Sequence, residues 1–158
     1  MLTAHLPSGY ILARVIKRPL AGLMPIALIG AVLPDLDMLF FYFVDHGAIH
    51  HHYYWVHIPF FWVCVAAVTL PVLAWRGYLA QGCVFFAAIA MHLVLDTIGG
   101  GIAWGAPLEM RLVEWVTVPA TRSHWILSFV MHWTFLLELA IWATAAALLW
   151  RQYKGTHI

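Results

Sequence analysis

Three stretches of about 20 residues run through this chain almost without a formal charge. One extends from His57 to Trp75 with no Asp, Glu, Lys or Arg. The next runs from Tyr78 to Ile98 with Asp96 as its only formal charge, and the last from Trp125 to Trp150 with Glu138 as its only one. A helix of such length spans the hydrocarbon core of a bilayer, about 30 Å. Inside lipid, a helix satisfies its own backbone N–H and C=O groups, so these runs are read as helices. Composition agrees. Apolar and aromatic residues make up 64% of the chain and charged residues 9%, against about 25% charged in an ordinary soluble domain. A water-facing surface cannot be built from so few charges. Nine Trp and six Tyr supply the amphipathic rings that favour the membrane interface. A net charge of +1 gives no electrostatic basis for binding nucleic acid. Cys64 and Cys83 both fall within apolar runs, which argues against a disulfide framework or a Cys-rich zinc site. The expected fold is an all-α integral membrane bundle of about four transmembrane helices with a short N-terminal helix, residues 1–158 forming one domain in the lipid bilayer.

The first span is less regular. It starts near Leu20 and carries Pro34, Asp35 and Asp37 before the aromatic stretch Phe40 to Phe43, so a stop or break is expected at Pro34. Before it, His5 to Ile16 is too short and mixed for a span, and reads as a partly embedded helix. The separate apolar core and cleavage site of a secretory signal are missing from it, so it is expected to stay in the mature protein. With four spans, Arg14, Lys17, Arg18, Arg76, Arg151 and Lys154 collect on one side, and Arg111 and Arg122 on the other. The richer side is expected to be cytoplasmic, which turns 45–56 and 99–124 outward.

The rare polar residues carry the chemistry. Under this topology Asp35, Asp37, His57, His92, Asp96 and His132 all fall toward the outer leaflet. Ionisable groups in a membrane segment are costly, so they face a protein interior, pair with each other and mark function. His92 and Asp96, four residues apart, share one helix face and can bind one ion together. Hard divalent cations favour the aspartates, and imidazole with carboxylate suits zinc, manganese or iron. Each residue also has a plainer reading. A single His at a helix end can reach water on its own, His50, His51 and His52 taken singly read as interfacial loop residues, and Gly99 to Gly101 reads as a helix stop.

Four blocks, in order, resemble the membrane-bound metal-dependent hydrolases of the YdjM type. They are Ala4-His5-Leu6, then Leu33-Pro34-Asp35-Leu36-Asp37, then a His pair five apart, then His92-Leu93-Val94-Leu95-Asp96 followed by Gly105-Ala106-Pro107-Leu108. The third block of the family reads His-Arg-Gly-x-Thr-His-Ser. Here it is His52-Tyr53-Tyr54-Trp55-Val56-His57-Ile58, which keeps both histidines without the Arg, Thr and Ser. The resemblance implies a helical protein of the bacterial inner membrane with a metal site and hydrolase activity. It carries the ligand roles to His5, Asp35, Asp37, His52, His57, His92 and Asp96. It also gives residues 5–16 a purpose: a hairpin with 21–34, turning at Lys17-Arg18-Pro19, returns His5 to the level of Asp35.

The expected chemistry is metal-assisted hydrolysis of a phosphoester or similar bond in a lipid-like substrate. One or two divalent ions, zinc or manganese, would lower the pKa of a bound water. Asp37 or Asp96, where not a ligand, would serve as general base. Two other readings use the same residues. His92 and His132 on separate spans would suit a bis-His haem, and a divalent-ion or proton transporter would need polar groups continuing to the cytoplasmic side.

Overall fold

A computed structural model describes residues 3–16 and 20–156. Among them are seven α-helices, no strand and one isolated bridge, Ile102 to Val113. Helix α1 covers His5–Val15, α2 Leu23–Val32, α3 Met38–Phe43, α4 Pro59–Trp75, α5 Leu79–Thr97, α6 Trp125–Val130 and α7 Phe135–Thr156.

Helix α2 forms the middle layer, between α1 and α5. Its buried residues are the small ones, Ala27, Gly30 and Ala31, and small residues let membrane helices approach closely. A Cβ on Gly30 would stand 2.7 Å from the Phe85 carbonyl oxygen of α5, a contact no side chain accommodates. On the other side Gly9 of α1 lies against Ala27 and Ala31, Ala13 clusters with Ala27 and Leu23, and His5 reaches Asp35. Contacts that step backward along α2 as α1 advances make the two helices an antiparallel hairpin, as expected from sequence. The turn at 17–19 lies outside the described residues.

The first apolar run breaks where Pro34 was expected to break it. Pro34 has no N–H to continue the ladder, and Pro34–Asp37 forms a 3-10 turn that leads into α3, the whole bending by 45° from α2. His57 belongs to a short 3-10 turn, Trp55–His57, and α4 begins after it with Pro59 at its first positions, where a missing N–H costs nothing. The last run departs from the sequence expectation. It is not one helix from Trp125 to Trp150 but α6 and α7, separated at 131–134. There the His132 ring lies 3.0 Å from the Thr134 hydroxyl and accepts the Thr134 N–H at 3.4 Å, in the manner of a helix cap.

Among the described residues, α5 is long and apolar enough to cross a membrane, and α2 with 34–43 passes the same test if the bent pair counts as one span. Helix α4 is apolar but has 17 residues. Its surface is dominated by side chains that no other part of the chain covers, including Phe60, Val63, Val68 and Val72. The outer faces of α3 and α7 carry Leu39, Phe40, Phe43, Leu136, Leu139 and Trp142 in the same state. Exposed apolar surface this extensive marks contact with something other than water.

The 99–124 connection folds back over the end of α5. The Trp115 and Val116 N–H groups donate to the Thr97 and Ile98 carbonyls, and the Trp104 indole donates to the Thr97 hydroxyl at 2.9 Å. Helix directions place Arg14, Arg76, Arg151 and Lys154 at the end of the bundle opposite His5, His57 and Asp96.

Candidate functional site

The C-terminal ends of α2 and α5, the N-terminal end of α1 and the loop before α4 meet at one place, and their polar side chains meet there too. His92 and Asp96 project from one face of α5, and the His92 Nε2 lies 3.0 Å from Asp96 Oδ2. His5, first residue of α1, brings its Nε2 to 3.1 Å from Asp96 Oδ1 and stacks its ring on His92 with centroids 3.8 Å apart. His57 Nε2 stands 3.5 Å from Asp96 Oδ2, and His52 Nε2 3.8 Å from the same oxygen. Asp35 faces the group from the 3-10 turn, 3.7 Å from His92 Nε2, 3.9 Å from His57 Nε2 and 4.0 Å from His5 Nε2. Seven residues were singled out in the sequence. Six of them, His5, Asp35, His52, His57, His92 and Asp96, therefore converge through Nε2 atoms and carboxylate oxygens.

The seventh, Asp37, sits one step back. Its Oδ2 accepts from His57 Nδ1 at 2.6 Å, and its Oδ1 faces His51 Nδ1 at 3.7 Å. Two more of the inner imidazoles are held in the same way. His92 Nδ1 donates to the Ala31 carbonyl at 2.7 Å, and His52 Nδ1 donates to the Gly101 carbonyl at 2.6 Å. A carbonyl can only accept, so these Nδ1 atoms carry the hydrogen, and in the neutral rings the Nε2 atoms keep their lone pairs. Metal-bound histidines are oriented by such partners on the far ring nitrogen.

That tautomer leaves His57 Nε2 and His92 Nε2 facing each other at 3.2 Å. Two lone pairs at this distance repel unless a positive charge stands between them, either a proton on one ring or a metal ion. The surrounding atoms fit the ion. Ligands about 2.0–2.1 Å from a zinc lie roughly 3–3.5 Å from one another, a range that the separations of His92, His5 and His57 from Asp96, 3.0, 3.1 and 3.5 Å, fall within. The ligand atoms of His5, Asp35, His92 and Asp96 all fall within 4.8 Å of one another, and so do those of His51, His52 and His57. Both groups are capable of holding a metal ion. Burial pushes the His52 imidazole down to about 3, against the pull of the Asp96 carboxylate, which keeps the ring neutral and able to ligate.

Sequence reasoning missed three parts of this arrangement. His51 joins the second group, but in a run of three histidines nothing distinguishes the one that turns inward. Gly100 and Gly101 do more than stop α5. Their N–H groups cap the Asp96 carbonyl while their own carbonyls receive His52, and a Cβ on Gly100 would stand 2.6 Å from His52 Cε1. The third is the Ala31 carbonyl behind His92, a backbone group with no sequence signature.

A cavity of about 560 Å³ opens beside the cluster. Its lining includes the polar Asp35, His50, His51 and His52 and the largely apolar Met38, Phe41, Tyr42, Val118, Trp125 and Phe129. Its size is that of a small-molecule site. His132 does not reach the cluster. With Asp96 at 3.0 Å and His57 at 3.2 Å from its Nε2, His92 has no room for a porphyrin. From Asp96 toward the basic end, the buried face of α5 passes from His92 to Ile89, Ala88 and Val84, so no polar path continues there.

Comparison with curated proteins and with solved structures found no match. Residues 1–158 match the family described as YdjM inner membrane protein. With its uncovered apolar helices, its scarcity of charge and this match along the whole chain, the protein belongs to the YdjM inner membrane protein family and resides in a lipid bilayer.

Proposed function

We propose that the protein is a metal-dependent hydrolase that cleaves a phosphoester or similar bond of a lipid-like substrate. The observation that carries this reading is the pair of ring nitrogens, His57 Nε2 and His92 Nε2, fixed 3.2 Å apart with carboxylates on either side. His5, Asp35, His52, His57, His92 and Asp96 would hold one or two divalent ions, zinc or manganese by the mixture of imidazole and carboxylate. When bound, such an ion lowers the pKa of a coordinated water and polarises the scissile group.

The chain's own residues supply the rest. Asp96, surrounded by imidazole nitrogens, serves as a ligand and not as a base. Asp37 is removed from the reacting atoms and acts through His57, holding its tautomer. Asp35 is 36% exposed and lines the cavity, which makes it the carboxylate that meets substrate and water. The apolar part of the cavity lining suits a hydrocarbon chain, and the hydrolysed bond would lie where it meets Asp35 and His52. The site faces outward, because the basic helix ends lie opposite it.

Elemental analysis and an absorption spectrum of the purified protein test the metal. Zinc or manganese near stoichiometry is expected, and a Soret band would replace this reading with haem. Phosphoester lipids in mixed micelles, supplied with zinc or manganese, test the chemistry. Release of a phosphorylated headgroup or of phosphate should depend on the ion and disappear in Asp35→Asn. Metal-loaded protein that cleaves no phosphoester or carboxylic ester bond in such micelles would sink the hydrolase assignment.

A further inference from the structure

Glu138 is the single formal charge in the last apolar run, and it takes no part in the His/Asp cluster. It is completely buried on α7. Its Oε2 accepts two hydrogen bonds from one residue at the other end of the chain, the Thr3 N–H at 2.8 Å and the Thr3 hydroxyl at 2.5 Å. The Thr3 hydroxyl in turn accepts from the Trp142 indole at 3.1 Å. Trp142 lies one helical turn beyond Glu138, so both side chains leave α7 on the same face. A relay from Trp142 through Thr3 to Glu138 thus fastens the segment that precedes α1.

Two residues after Thr3 comes His5. Ala4 between them is fully buried and is the N-cap of α1, its carbonyl accepting from the Ser8 N–H at 2.9 Å. The backbone from the clamp to the imidazole therefore has little freedom. His5 arrives from the N-terminal end of α1, without preceding helical turns to hold it. Tyr10, farther along α1, approaches Gln152 of α7 at 3.5 Å, so the two helices run side by side in the same direction. A carboxylate inside an apolar bundle is costly, and its retention at this point calls for a task.

We propose that Glu138 is a positioning residue for the metal site, acting through Thr3 to hold His5 against Asp96 and His92. The part concerning metal rests on the hydrolase reading. The clamp itself rests on the hydrogen bonds.

The test uses the full chain in detergent with two readouts. Zinc affinity is measured by competition with a chromophoric chelator. Carbethoxylation of His5 by diethyl pyrocarbonate, followed by mass spectrometry of the metal-free protein, reports how well that ring is held. Thr3→Val keeps shape and removes the hydroxyl, Glu138→Gln keeps shape and removes the charge, and Glu138→Ala removes both. Zinc binding should weaken by about 10- to 100-fold in Thr3→Val and Glu138→Ala, with Glu138→Gln between them and the parent. Combining Glu138→Ala with His5→Ala should add little to His5→Ala alone, whereas combining it with His52→Ala should add its full effect. His5 should label several-fold faster in both Glu138→Ala and Thr3→Val. If the parent binds no zinc, the metal reading falls while the labelling still decides the clamp. His5 labelling unchanged in Thr3→Val and in Glu138→Gln, the two variants least prone to misfold, overturns the proposal, as does full additivity with His5→Ala.

Discussion

His92 and Asp96 offer nitrogen and oxygen atoms from one helix face that could hold an ion, while the span that carries them is specified by the apolar residues around them. His92→Ala and Asp96→Ala are therefore expected to lower zinc or manganese content without preventing membrane insertion, checked by elemental analysis of membrane-extracted protein. Full occupancy in the double variant would remove this pair from the site. Gly100→Ala tests the wall behind the cluster. A methyl group 2.6 Å from His52 Cε1 must displace either the ring or the loop, so zinc affinity should fall by about 10-fold or more. The converging His and Asp residues were legible because each charged or imidazole side chain stands out against an apolar run, and because their spacing matched a family pattern. Ala31, Gly100 and Gly101 were not legible, since a carbonyl is offered by every residue and only the fold selects which one faces a ring. Glu138 was visible as an anomaly but had no assignable role, because its partner lies 135 positions away.

Apolar runs placed α4 and α5 well, and Pro34 marked the break after α2. The break between α6 and α7 had no such marker. No Gly or Pro lies between Trp125 and Trp150, and the interruption is made by the His132 ring closing on Thr134, an alternative to the helical ladder that only local geometry reveals. Topology gives the prediction for these elements. Single cysteines introduced into a variant lacking Cys64 and Cys83 should be labelled from the cytoplasm at 75–77 and near Lys154, and from the opposite side within 99–124. Labelling of positions 76 and 122 from the same side would exclude the arrangement.

A shared ion would tie together four segments of the bundle: α1, the turn after α2, the loop before α4, and α5. Because a ligand that binds only the folded form stabilises it, by about 2.7 kcal/mol at 100 times its Kd, zinc or manganese should raise the melting temperature of the detergent-solubilised protein. Asp35→Asn and His57→Ala should each weaken that response. His50 is a poor control, since its ring accepts the His52 N–H at 3.2 Å. His46 is exposed and outside the cluster, and His46→Ala should respond like the parent. Equal responses from all variants would dissolve the common site into unrelated helix-end residues. The bond between Thr3 and Glu138 also imposes an order on biosynthesis. Every proposed ligand is part of the chain once Asp96 has been added, yet the segment bearing the first of them has no anchor on α7 until that helix is synthesised and inserted. A nascent chain stalled within 99–124 would carry all the proposed ligands and still lack the Glu138 anchor that holds Thr3.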